Sequence, residues 1–210
     1  MTRKIASGPI RDKERTKDKF LTAVGLILKE EGFTGLNITK VATKANVDRK
    51  LIYEYFGGLE GLVKDYLNSR DYWSSNGEYT QEIIEKSKDD FGQQMLCSLL
   101  EKQLDSLIDD EELRWIISWG VSERSAALEE LNQKRELFGE QFLNEIADEY
   151  FKDKDIKIRP VAALLIGGIY YMTLIAHTNN GLMCGIDIRK EEAQTEIKKT
   201  LKQIVEWAYL

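Results

Sequence analysis

Two prolines, two cysteines and one histidine in 210 residues narrow the classes open to this chain before any motif is read. With prolines this scarce and i, i+4 apolar spacing throughout, the expected fold is all-α. Cys97 and Cys184 lie far apart and match no metal-ligand spacing. The chain opens with no secretory signal pattern, so the expectation is reduced thiols in a cytoplasmic protein, with no metal and no cofactor. A single histidine, His177, makes a Ser-His-Asp set unconvincing, and neither a nucleotide-cradling glycine loop nor a nucleophile elbow is present. The chain is therefore expected not to be an enzyme. A helical enzyme would need folding to bring Cys97 or Cys184 against His177, which spacing leaves open.

Charge is the next feature. The net charge is −6, yet residues 1–50 hold 12 Lys/Arg against 6 Asp/Glu. A basic head thus precedes an acidic body, the asymmetry of a protein that meets a polyanion with one end. One stretch, residues 160–178, carries no Asp, Glu, Lys or Arg and is just long enough to span a bilayer. It contains Gly167, Gly168, Tyr170, Tyr171 and His177 and has no second candidate beside it, so a helix of a bundle is the expectation and no membrane partner is assigned.

Within the basic head, residues 36–56 read LNITKVATKANVDRKLIYEYF. Ile38, Val41, Ala42 and Ala45 form the buried stripe of a short helix capped by Asn37, with Leu36 and Val41 as a hydrophobic staple. The pattern repeats at once: Asp48 is the next cap candidate, Val47 and Ile52 the next staple, and Asn46 marks a tight turn in left-handed backbone. Two helices this close make a helix-turn-helix. With Ile52 and Phe56 facing inward, Arg49, Lys50, Tyr53 and Glu54 occupy the side of the second helix that fits a major groove.

The run VATKANVDRKLIYEYF followed by GGLEGLV resembles the DNA-binding domain of the TetR family of bacterial repressors, through Val41, Ala42, Ala45, Val47, Ile52, Tyr53, Tyr55, Phe56, Glu60 and Leu62. The resemblance covers about the first third of the chain. It departs where Asn46 replaces a turn glycine, Asp48 a capping serine, Lys50 and Leu51 smaller residues, and Leu59 a lysine that lies near a DNA phosphate. The resemblance implies an N-terminal three-helix helix-turn-helix domain, residues 1–57, followed by a helical bundle, residues 58–210, for ligand binding and dimerisation. It further implies a homodimer through helices 159–178 and 188–209, a double-stranded DNA operator and a small-molecule effector. The implied function is a ligand-responsive regulator, a repressor released from a palindromic operator by a small apolar or aromatic effector. A helix-turn-helix protein without a ligand stays open as the alternative, and so does activation.

Roles within the head follow from chemistry. Arg49 and Lys50 begin the second helix and can donate to guanine O6 and N7. Thr39, Lys40, Thr43 and Lys44 line the exposed face of the first helix as phosphate contacts. Tyr53 resembles the family tyrosine that bonds a phosphate, and Tyr55 is either a backbone contact or core. Lys50 and Glu54 are also spaced as an i, i+4 ion pair, and Arg3, Lys4 and Arg11 belong to a basic N-terminal segment expected to be disordered and idle, the alternative being an arm that reaches a minor groove. In the body, Met95, Trp115, Trp119, Tyr170, Tyr171, Met172 and His177 are the amphipathic or adaptable side chains that line apolar ligand sites, although aromatics at helical spacing also serve as core. Ala162, Ala163, Gly167 and Gly168 permit close helix approach, which suits either a dimer seam or an internal core.

The remaining helices are expected at residues 12–31, stopped by Gly32, and 59–73, broken by Asn76 and Gly77. Further ones are expected at 80–88, 90–108, 111–121 and 125–151, with a loop at 152–157. Pro160 should open the apolar helix, Asn179, Asn180 and Gly181 close it, and Asp187 cap the last.

Overall fold

The computed structural model describes residues 9–70 and 85–210, the side chains of 9–11 and 138 excepted. Those residues form nine α-helices: α1 (Pro9–Glu31), α2 (Ile38–Ala45), α3 (Lys50–Phe56), α4 (Leu59–Arg70), α5 (Gln93–Asp109), α6 (Glu111–Ser122), α7 (Ala126–Phe142), α8 (Ile158–Asn179) and α9 (Glu191–Ala208). The all-α expectation holds. Two compact units divide the chain, one built from residues 1–71 with Trp119–Leu131, the other from the rest.

In the first unit, α1 packs on both α2 and α4, and α3 on α4. Phe20, Val24 and Ile27 of α1, spaced four and three apart, are shut away from water with Val41, Ile52, Leu62 and Tyr66. Each fully buried apolar side chain of this kind stabilises by roughly 1.5–3 kcal/mol before entropy is charged. The Phe20 and Phe56 rings meet edge to face, 6.0 Å apart and 87° between planes. Gly61 is obligatory, because a Cβ there would stand 1.8 Å from the Phe56 carbonyl oxygen as α4 turns over the end of α3.

In the second unit α5 supplies Leu100, Leu104 and Leu107 to the core, and both α8 and α9 pack against it. The acidic side chain of Asp90 accepts from the backbone N–H groups of Gly92 and Gln94 and so starts α5. After α7 the backbone makes a π-helical turn over Leu143–Ala147 and a last α turn at Asp148–Phe151. Asp148 there accepts both Nε and Nη2 of Arg159, the second residue of α8, while Asn144 accepts Nη2 as well. At the chain end the Tyr209 hydroxyl donates to the Phe91 carbonyl at 2.9 Å, and the Tyr209 carbonyl accepts from Tyr150 Oη and Lys154 Nζ.

Several boundaries differ from those read in the sequence. α1 begins at Pro9 rather than residue 12, since proline lacks only an N–H that the first turn leaves unbonded. Pro160 lies in the first turn of α8, as its third residue, where a missing N–H costs nothing. Asp187 does not cap α9, which starts at Glu191 rather than at 188. Its carboxylate is taken by Arg189, through the backbone N–H and the guanidinium, and its carbonyl closes a turn to Lys190 N–H; a short acidic side chain bonded to its own turn competes with the capping role. The 71–73 end of the fourth helix, the Asn76–Gly77 break and residues 80–84 of the next helix lie outside the described residues, as do Arg3, Lys4 and the side chain of Arg11.

α8 is long and apolar enough to cross a membrane by length and composition. One stripe of it, including Ile158, Ala162, Ile169, Thr173 and Ala176, is buried on the core. The face carrying Leu164 (76% exposed) and Tyr171 (56%) is not.

Candidate nucleic-acid interface

Three short polar residues shape the helix-turn-helix, one at the start of α2 and two in the turn between α2 and α3. Asn37 Oδ1 accepts the Lys40 N–H at 2.9 Å and caps α2. Asn46 ends α2 in left-handed backbone, φ 52° and ψ 49°, and Val47 N–H reaches back to the Ala42 carbonyl at 3.1 Å, a pattern that satisfies the last carbonyls of a helix. Asp48 Oδ1 then accepts the Lys50 N–H at 2.8 Å, and its carbonyl accepts Leu51 N–H, opening α3. At the far end Gly57, φ 75°, stops α3. A hinge of so few residues leaves α2 and α3 no freedom to slide, because Val41 and Ile52 are both fully buried on α1 and α4.

This places the side chains read as DNA contacts. Arg49 at the N-cap position of α3, and Lys50 and Tyr53 along it, stand exposed, with Ile52 beneath them at zero exposure. The ion pair that spacing allows between Lys50 and Glu54 is not formed. Tyr55 is half-buried and lies under the Lys13 ammonium, 5.0 Å from its ring centroid, while Lys17 covers Phe56 at 5.5 Å. Thr39 and Thr43 are exposed on α2. Lys40 and Lys44 are exposed too, but each holds a carboxylate of α1: Lys40 pairs with Glu31 and Lys44 with Glu30. The two glutamates had no place in the sequence reading, since residues nine and fourteen apart belong to no helical spacing.

Elsewhere in the same unit Trp119 is 5% exposed and stacks on Phe33. Lys64 of α4 bonds Glu130 at 2.7 Å, and that carboxylate raises the lysine's affinity for its proton.

The side chains read as effector contacts are distributed more widely. Met95 is buried and accepts from Ser87 Oγ at 3.3 Å; Tyr170 and Met172 are half-buried against the same core. Trp115 is 41% exposed, and Tyr171 and His177 also face outward. Trp119, one turn from Trp115 on α6, belongs to the first unit instead. Burial, with Arg114 and Arg189 nearby, pushes the His177 imidazole below its ordinary value. Arg114 donates to the Leu107 and Ile108 carbonyls at the end of α5, and Arg189 to Asp187 and Asn180. Neither arginine was singled out in the sequence, where nothing marks a cation that closes a helix end from another element. The cysteines are free thiols, and burial pushes that of Cys97 up. Among the described residues no group of three or more His, Cys, Asp or Glu is disposed to hold a metal ion.

Comparison with known proteins agrees with this geometry. No family model matches the chain. Over 49 residues it is 41% identical to the HTH-type transcriptional repressor NicS of Pseudomonas putida, a segment spanning 23% of either chain. A TetR family transcription regulator from Marinobacter aquaeolei VT8 superposes with a TM-score of 0.58 at 16% identity, covering 92% of this chain and 97% of the other. The transcriptional regulator FadR from Bacillus subtilis, solved in complex with stearoyl-CoA, gives 0.55 at 17% identity, over 88% and 96%. The chain thus has the fold of TetR-family transcriptional regulators: an N-terminal helix-turn-helix followed by a helical C-terminal region.

Proposed function

We propose that this chain is a homodimeric, ligand-responsive DNA-binding regulator, a repressor that leaves its operator when a small apolar or aromatic effector binds. The observation that carries the reading is α3 itself: Arg49, Lys50 and Tyr53 project into solvent from a helix pinned by Ile52 and fixed in register by the Asn46 turn. A rigid helix presenting donors of this kind reads base edges, while the threonines and lysines of α2 position it on phosphates. The repressor named NicS matches the chain over a segment of this size, which supports the sense of regulation.

The dimer reading rests on α8. Its exposed face combines Leu164 and Tyr171 with open space above Gly167 and Gly168, so a second copy can approach closely there and on α9, where Trp207 is 59% exposed. A two-fold protein calls for a palindromic site with half-sites about one helical turn, roughly 34–36 Å, or a multiple of it apart. The effector reading rests on the adaptable side chains Met95, Tyr170 and Met172, and on the acyl ligand named for the FadR structure. An effector acts by favouring one arrangement of the two heads over the other, and to the extent that it weakens operator binding, the operator weakens its binding equally.

The deciding experiment is selection of duplexes from random sequence followed by fluorescence anisotropy across a salt series. A palindromic winner with an affinity that falls steeply with salt is the expected result. Arg49→Ala should then cost about 1–3 kcal/mol and relax preference at particular base pairs. No selected sequence, or a preference unaltered by Arg49→Ala, overturns the assignment of α3.

A further inference from the structure

We propose that Glu30 and Glu31 are built-in competitors for DNA phosphate, holding Lys44 and Lys40 in the free protein and releasing them when DNA binds. The inference rests on the reading of α2 and α3 as the DNA-binding face, and it assigns to α1 a part in setting affinity.

Four observations carry it. The last turn of α1 presents two adjacent carboxylates, and each takes one lysine of α2, Glu31 with Lys40 and Glu30 with Lys44. The lysines are one turn apart on the exposed side of α2, so they form the two-point cationic edge that a phosphate pair would meet. All four side chains are between 32% and 52% exposed, so water and DNA reach the pairs without unfolding anything. By contrast Arg49 and Lys50 on α3 have no carboxylate within ion-pair distance among the described residues.

A carboxylate oxygen and a phosphate oxygen are the same kind of acceptor for an ammonium group. Exchange of one for the other is therefore a substitution of partners at a fixed lysine. It carries two costs: an exposed ion pair is given up, and a freed carboxylate is left beside a polyanion. The exposed pair alone accounts for about a two- to fivefold change in affinity. The phosphate contacts, which every DNA sequence offers, are weakened in this way. The base contacts of α3 are not, so tight binding depends on a sequence that α3 can read.

The test is a double-mutant cycle in the full chain, read by anisotropy on a selected duplex and on a shuffled duplex of the same composition. Glu31→Gln and Glu30→Gln should each tighten binding about two- to fivefold on both duplexes. In a Lys40→Ala background Glu31→Gln should give a clearly smaller gain, that of relieving repulsion alone, and so should Glu30→Gln in a Lys44→Ala background. Glu31→Asp, which keeps the charge but draws it back from the ammonium, should tighten binding in the same direction as Gln. A gain that persists undiminished in the Lys→Ala backgrounds, or that Asp does not share, overturns the proposal in favour of simple charge removal. Weaker binding by the Gln variants overturns it in the other sense, making the glutamates supports that aim the lysines. If the unsubstituted chain binds neither duplex, the DNA-binding face itself is refuted, and the inference falls with it.

Discussion

The Phe33 and Trp119 rings stack 3.9 Å apart between centroids and 27° from parallel, with the indole Nε1 of Trp119 buried and unpartnered. Phe33 lies in a single 3₁₀ turn between α1 and α2, so this contact fastens the entry to the helix-turn-helix onto the end of α6. Phe33→Ala should therefore cost about 1–3 kcal/mol, combining the aromatic pairing and the area it covers. Trp119→Phe retains a ring and removes an unsatisfied donor, so it should cost less than Phe33→Ala. Urea denaturation of the two variants checks the order; equal losses would mean that the stack is not what holds the turn.

Asn46 offers a test of the hinge. At φ 52° it occupies backbone that glycine adopts without strain and alanine only at roughly 1–2 kcal/mol. Asn46→Gly should leave stability within about 1 kcal/mol of the parent, and Asn46→Ala should lower it by about that strain. Thermal unfolding decides, and an Ala variant as stable as Gly would show that the turn tolerates another geometry.

Leu164 tests the assembly. It is 76% exposed within one chain, so Leu164→Glu should leave helix content and melting of the isolated chain little changed. Placed in a seam between two α8 helices, the same carboxylate meets its own copy across a dry contact. Sedimentation should then report a monomer where the parent is a dimer, together with loss of binding to a two-half-site duplex. A variant that stays dimeric removes α8 from the interface.

His177 gives a dependence on pH. Burial first, then Arg114 and Arg189, lower its pKa from the ordinary 6.5, while Asp187 acts in the opposite sense. The unfolded chain therefore takes up a proton at a higher pH than the folded one. The contribution is present in full above about pH 6.5 and is lost as pH falls through the window below it, down to the folded value. His177→Asn should flatten that part of the stability profile measured by denaturant titration between pH 7.5 and 5. An unchanged slope would assign the titration to other groups.

The helix-turn-helix was legible because its signals are local. Asn37, Asn46 and Asp48 each act on backbone within a few residues, and the apolar stripe of α2 alternates with caps over a single turn. Pairings between elements were not. Nothing in the spacing of Lys40 or Lys44 points to Glu31 or Glu30, and Trp119 reads as a neighbour of Trp115 until folding sets it against Phe33. Asp187 shows the other limit: the same residue type that caps a helix also binds its own turn, and here Arg189 decides between them. The half-covered state of α8 was also beyond the sequence, because an apolar run announces burial without saying what buries it.

The membership of Trp119–Leu131 in the first unit bears on recombination between proteins of this fold. A chimera that joins residues 1–71 to a foreign body carries Phe33 without its indole and Lys64 without Glu130. The transplantable piece is discontinuous, and a graft that brings residues 119–131 along with the head needs three junctions instead of one. Exchange of heads by a single crossover, however well the linker is chosen, breaks contacts that belong to the head itself.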